Sequence, residues 1–384
     1  VRAIADPAMA CDGGGAARGV SSESSSSDVE PDLSRELEEL GHFVRQTTGI
    51  FVDDAPGASP RGALPEAHFA HPSQTMIILD WDDTLFPTTD IFGDQTFARS
   101  HAATTLPVQA PCPIAEAEKQ QQLKEWQEAL FNYLERACEL SDHCVIITNS
   151  QRPWVETCTQ HFAPNLKPLL ERGARAPRVV YAREVLPKNR TKNAQCLNLR
   201  PVRARQIDLE NLTEEEHDDE MMMAKYLAMR QEAEKIGAAS PGRAMRNVVC
   251  IGDMPYERYA VHELAFRGGK AEAERPRVKS FVLPTSPKMS EITMRLLFSK
   301  EMLLAYVHHD GDIDLDLWHV ADPLLEIATA MNMPRLAELP FSRQAWGKSG
   351  VPVGRGGEEL ASVLGQIAGV VRESLGASSP SGEA

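Results

Sequence analysis

The chain has 384 residues, 42% of them hydrophobic and 25% charged, enough apolar material for one large or two smaller soluble domains. Its 55 aspartates and glutamates outnumber 40 lysines and arginines, a formal net charge of −15. That balance excludes broad binding to nucleic acid, or to an anionic membrane, through net charge.

Residues 1–71 read as a largely disordered segment, because GGG and SSESSSSDVE are too polar to support a core. The serine run is read as a solvated tail, with phosphorylation as its functional alternative. One helix is expected at 32–46, where Leu33, Leu37, Leu40 and Phe43 fall at helical spacing, and 55–67 reads as a linker. From 76 onward short apolar strands alternate with helices. Strands are predicted at 76–80, 144–148, 178–182, 247–253 and 278–283, and helices at 114–140 and 152–162. A third helix is expected from a Thr213 to Glu216 capping box through about Lys235.

Near-continuous apolar strands between helices predict an α/β fold, a doubly wound parallel sheet with helices on both faces. The predicted domain spans 72–320, followed by a C-terminal helical extension at 321–375 and a disordered tail at 376–384. In the extension, Leu360, Val363, Leu364, Ile367 and Val371 share one face that packs on the core or meets a partner.

Seven cysteines include no CxxC pair, and Cys144 and Cys250 lie in apolar runs. This favours reduced thiols in a cytosol-like compartment over a disulfide frame. No stretch approaches a membrane span and no signal-peptide core is visible, so no membrane association and a cytoplasmic location are expected, with a leader before Val1 left open.

Chemistry concentrates at the carboxyl ends of the strands, where open parallel sheets place their sites. The stretch ILDWDDTLFPTT delivers Asp80, Asp82 and Asp83 within four positions at the end of a buried strand. Repulsion and desolvation oppose that grouping, so a positive partner is required, a metal or a lysine. Thr148 ends the second strand and Asp253 the fourth, and Lys225 lies on the helix before the fourth strand. A carboxylate, a hydroxyl, an amine and a second carboxylate are what phosphoryl transfer through an aspartyl-phosphate requires.

In these motifs and their order the chain resembles the haloacid dehalogenase superfamily, whose first motif is an apolar strand followed by Asp-x-Asp-x-Thr. The blocks ILDWDDTLFPT, ITNSQRPWVE, MMAKYLAM, NVVCIGDMPYERYA and VKSFVLPTSPKMSEI resemble most a protist and algal subgroup of that superfamily, over residues 75–316. The resemblance implies a Mg²⁺-dependent phosphatase. Asp80 is the implied nucleophile and Asp82 the general acid and base; Thr148, Asn149 and Lys225 bind phosphate. Mg²⁺ is held by Asp80, Asp253 and the main-chain carbonyl of Asp82, with Glu257 reaching a metal-bound water.

Lys188 and Lys192 are the rivals of Lys225 and read as solvated loop charge; Trp154 reads as packing. His308, His309, Asp310 and Asp312 read as a polar helix end in preference to a metal site. The loop at 90–113 and the polar stretch 189–219 look too small for a full cap, which implies an open site and a protein or other large phosphorylated substrate. The alternatives are a phosphotransferase or phosphomutase with the same residues, and a non-catalytic scaffold that binds a protein partner. Oligomeric state is not legible.

Overall fold

The computed structural model describes residues 69–93, 117–186, 214–239, 245–268, 275–318, 320, 322–339 and 357–377. The readings of a helix at 32–46, a linker at 55–67, the Thr213 cap, Lys188 and Lys192 lie outside these residues, as do most of the start read as disordered, of the loop at 90–113, of the stretch 189–219 and of the tail read as disordered at 376–384.

Six strands form one all-parallel sheet: β1 (Thr75–Leu79), β2 (His143–Thr148), β3 (Arg178–Tyr181), β4 (Asn247–Gly252), β5 (Arg277–Val282) and β6 (Ile313–Asp316), in the order β3-β2-β1-β4-β5-β6. Among the described residues the helices are α1 (Thr88–Phe92), α2 (Ala117–Leu140), α3 (Trp154–Phe162), α4 (Glu214–Ala239), α5 (Pro255–Gly268), α6 (Met289–His308), α7 (Pro323–Ala330) and α8 (Gly357–Ala377), with shorter helical turns besides. This is a Rossmann-like α/β arrangement.

Side chains alternate across a strand, so each central strand feeds two cores at once. Ile77 and Leu79 of β1, Cys144 and Ile146 of β2, and Val249 and Ile251 of β4 face the layer built by α2, α6 and α8. Met76, Ile78, Val145, Ile147, Val248 and Cys250 face the opposite layer, built by α4 and α5. Burial on both faces explains why these strands are apolar without interruption. The five expected strands are present to within a residue or so at each end.

β6 is an addition to the sequence reading. Its residues, IDLD, are few and half acidic, and its placement depends on parallel pairing with β5, where Lys279 aligns with Ile313 and Val282 with Asp316. Asp314 is held by Arg258 of α5 through two bonds of 2.6 Å. An edge strand carrying paired charge resists further strand addition.

The C-terminal helix packs on the core: Val363, Ile367, Val370 and Val371 are buried in the same cluster as the sheet, with Leu360 and Leu364 against it. His308 ends α6 and His309 caps it, as the polar helix end was read.

Because Ile367 is fully buried, Ile367→Ala is expected to lower the unfolding free energy by about 2–5 kcal/mol in urea denaturation. A loss below about 0.5 kcal/mol, typical of surface positions, would place α8 outside the cooperative core.

Candidate active site

β1 lies at the centre of the sheet, with β2 on one side and β4 on the other, so the chain's connections diverge from its carboxyl end. A crevice opens where connections diverge, and it is there that such sheets bind ligands. Asp80 is the first residue past β1, and its main-chain N–H donates to the Ile251 carbonyl of β4 at 3.0 Å. The strand pairing itself therefore positions Asp80.

The residues after it make a tight loop. The amides of Leu85 and Phe86 donate to the Trp81 carbonyl at 3.0 and 2.8 Å, and Asp83 N–H donates to the Phe86 carbonyl at 2.8 Å. Asp83 adopts a left-handed φ of 52°, which aspartate tolerates better than most residues. The loop stacks Phe86 on Trp81, ring centroids 5.6 Å apart and planes 4° from parallel. Thr89 of α1 donates both its amide, at 2.9 Å, and its hydroxyl, at 2.5 Å, to the Asp83 carboxylate. Burial, outweighing these bonds, pushes Asp83 up to about 6.

Lys225 supplies the positive partner that the sequence demanded. It lies in a run of α4, Met221–Met229, that is buried at every position, so its ammonium has no route to solvent. Nζ donates to Asp80 Oδ1, to the Ile147 carbonyl at 2.6 Å, and pairs with Glu257 Oε1 at 2.9 Å. Burial alone depresses a lysine; here the charges of Asp80 and Glu257 outweigh it and raise Lys225 above its usual range.

Glu257 is buried beside Lys225. Its carboxylate faces Lys225 and accepts the Met254 amide at 3.1 Å, so it serves as a counter-ion and a brace for the β4–α5 turn. Gly252 makes room for it, because a Cβ there would meet Glu257 Cγ at 2.8 Å. Burial pushes Glu257 up to about 8, against the pull of Lys225.

Asp82 has the most complete set of partners. Oδ1 accepts from the Thr88 hydroxyl at 2.7 Å and the Trp154 indole N–H at 2.8 Å. Oδ2 accepts from the Ser150 hydroxyl at 2.7 Å and the Thr148 hydroxyl at 3.1 Å. Thr148 also accepts the Ser150 amide at 2.9 Å. Asn149 is buried at the end of β2, with Nδ2 directed at the Met221 carbonyl, 3.4 Å away. Trp154, expected only to pack, does so against Phe86 and Phe92 while its N–H holds Asp82. Sequence reasoning missed this use of Ser150, Thr88 and Trp154; the clue is that NSQRPW sets an indole on the first turn of the helix after β2.

Asp253, just past β4, is in the opposite condition. It is buried, and among the described residues no group donates a hydrogen bond to it or forms an ion pair with it. Burial first, then the charges of Asp80, Glu257 and Asp83, push its carboxyl well above the usual range, with Lys225 opposing. A buried carboxylate without a protein donor, beside other carboxylates, is the kind of group that a cation compensates. Among the described residues no three His, Cys, Asp or Glu side chains form a metal cage. Asp80 and Asp253 with one main-chain carbonyl suit Mg²⁺, which keeps several waters.

No protein-family description, curated protein or solved structure matches this chain.

Lys225→Met removes the ammonium and leaves Asp80 and Glu257 facing each other across a buried gap. Proton uptake by the carboxyls offsets that cost. A carboxyl raised by the fold stabilises it fully below its unfolded value, 4.5 for Glu257, and loses that contribution as pH climbs through about 8. In metal-free buffer Lys225→Met should therefore cost about 3–5 kcal/mol at alkaline pH and distinctly less at acidic pH. Equal losses in urea unfolding at pH 5.5 and at pH 9 would contradict the assignment.

Proposed function

We propose that the protein is a Mg²⁺-dependent phosphatase of the haloacid dehalogenase type that works through an aspartyl-phosphate on Asp80. The observation that carries this reading is the buried Asp80–Lys225 pair at the sheet's central crossover, with the donorless Asp253 beside it.

Asp80, Asp253 and the main-chain carbonyl of Asp82 would hold Mg²⁺, which supplies neutralising charge for the phosphate oxygens when bound. Lys225 holds Oδ1 of Asp80, which leaves Oδ2 to attack phosphorus. The bond to the leaving oxygen breaks as that to Asp80 forms, and Asp82 gives the leaving oxygen its proton. Asp82 then takes a proton from water. The resulting hydroxide attacks phosphorus, the Asp80–phosphorus bond breaks, and inorganic phosphate leaves with both aspartates restored. Lys225 offsets the charge that accumulates near Asp80, and Thr148 and Asn149 line the phosphate's place at the end of β2.

The short segments between the motifs favour a phosphorylated protein or another large phosphate ester as substrate. The same residues would serve a phosphotransferase, and the choice of acceptor separates the two. A pure scaffold is disfavoured, since a binding role does not call for carboxylates buried without donors.

The test is a panel of p-nitrophenyl phosphate, phosphorylated metabolites and phosphopeptides, assayed with and without Mg²⁺. Phosphate release should require the metal and fall by at least about a thousandfold in Asp80→Asn, the scale of removing a nucleophile. Turnover near the parent's rate in that variant would end the covalent mechanism. Transfer to alcohols in preference to water would assign a phosphotransferase.

A second test concerns the ligands. Asp253→Ala should weaken Mg²⁺ binding in calorimetry far more than Glu257→Gln, because Glu257 is occupied by Lys225. The reverse order would overturn the ligand set.

A further inference from the structure

The two oxygens of Asp82 are not equivalent. Oδ1 is held by the Thr88 hydroxyl at 2.7 Å and by the Trp154 indole N–H at 2.8 Å; Oδ2 is held by Ser150 and Thr148, both through hydroxyls, at 2.7 and 3.1 Å. A hydroxyl donates or accepts as its proton rotates, whereas an indole N–H only donates. All four donors fill the sites of a carboxylate. When Asp82 carries a proton, the contact from Trp154 has no second form: a proton on Oδ1 would turn to Thr88 and leave the indole N–H on a hydroxyl oxygen, a poorer acceptor than the carbonyl oxygen that Oδ1 becomes when the proton sits on Oδ2. On Oδ2 it meets only partners that reverse. Thr148 keeps this capacity although it already accepts the Ser150 amide at 2.9 Å, because a hydroxyl oxygen has two lone pairs.

We propose that Trp154 is a positioning residue for the phosphatase chemistry: its N–H reserves Asp82 Oδ1 as an acceptor and leaves Oδ2 as the oxygen that delivers the proton to the leaving group. The indole is fixed for this task. Its ring packs against Phe86, centroids 6.3 Å apart, and Phe92, centroids 5.5 Å apart. Phe86 belongs to the Asp82 loop and is bridged to Asp82 itself. The loop bearing the acid and the helix bearing its orienting donor therefore move as one body. Ser150, whose hydroxyl lies 2.7 Å from Oδ2, is the partner that turns from donor to acceptor as the proton arrives and departs.

The consequence falls on leaving groups that need a proton. An alkoxide from a serine-type phosphate cannot depart unprotonated, whereas p-nitrophenolate can, so a misplaced acid slows the first and spares the second.

The inference rests on the phosphatase reading, and the experiment separates the two. Trp154→Phe keeps the ring and removes the N–H. With Mg²⁺ present, kcat/KM, which reports expulsion of the leaving group and excludes the later hydrolysis that also uses Asp82, should fall about 10–100-fold on a phosphoserine peptide or another alkyl phosphate, against less than about threefold on p-nitrophenyl phosphate. Equal losses on both esters would mean that Trp154 only packs, and no loss on either would mean that Asp82 needs no orienting donor; both outcomes overturn the proposal. A parent protein that releases phosphate from no ester overturns the phosphatase reading. The hydrogen bond has its own readout, independent of turnover. The indole N–H resonance of Trp154, identified by its absence from Trp154→Phe, should shift in Asp82→Asn relative to the parent. A resonance that stays in place would refute the contact itself.

Discussion

One buried ammonium makes the rest of the site possible. Five carboxylates, Asp80, Asp82, Asp83, Asp253 and Glu257, are buried with Lys225 at the carboxyl edge of the sheet. Carboxylates grouped out of water repel one another and lose hydration, and at typical interior dielectric each effect is worth several kcal/mol. Lys225 donates to Asp80 and to the Ile147 carbonyl and forms an ion pair with Glu257, so it meets two of them directly. What it leaves uncompensated is equally informative. Burial still pushes Asp80, Asp83, Asp253 and Glu257 upward, the excess of negative charge on which the Mg²⁺ proposal rests.

The sheet fixes where this cluster forms. Pairing of β1 with both β2 and β4 aligns Leu79 with Ile146 and Ile251, so the residues that follow each strand emerge on one level. Asp80, Thr148 and Asp253 then lie within one residue of the same level at three neighbouring strand ends. The apolar layers on each face hold that level by packing, and the loop after Asp80 is anchored through Trp126, whose indole donates to the Leu85 carbonyl at 2.9 Å. Core packing and site geometry are therefore the same set of contacts seen from two sides.

How much of this was legible follows from the range of the forces involved. The central strands could be read because burial on both faces writes a continuous apolar run into the chain, and their terminal residues could be read because a charge ending such a run has few structural reasons to be there. Lys225 was legible by position, one helix before β4. β6 was not, since its pairing comes from β5 and its acidic residues look like a turn until Arg258 is seen against Asp314. Glu257 was placed near the metal by the resemblance of IGDMPYE to the superfamily's fourth motif. What spacing cannot convey is that Gly252 lets the longer side chain fold back onto Lys225. Trp154 was read for its surface area, the dominant property of an indole, and its single polar atom became informative only with Asp82 placed 2.8 Å away.

Asp82 and Asp253 show how one cluster divides labour between identical side chains. Both are buried aspartates beyond strand ends, and both lie near Asp80. Asp82 is surrounded by four donors, three of them hydroxyls that reverse direction at little cost, an environment suited to a group that gains and loses a proton while staying in place. Asp253 has no donor among the described residues and like charges on several sides, an environment that a proton eases only in part and a divalent cation relieves fully. Exchanging the two settings would disable both: a cation at Asp82 would face hydroxyls and an indole N–H already committed to donation, and a proton at Asp253 would have no partner to take it onward. The proposed assignment of acid to one and ligand to the other rests on what surrounds each carboxylate, with the side-chain chemistry held constant.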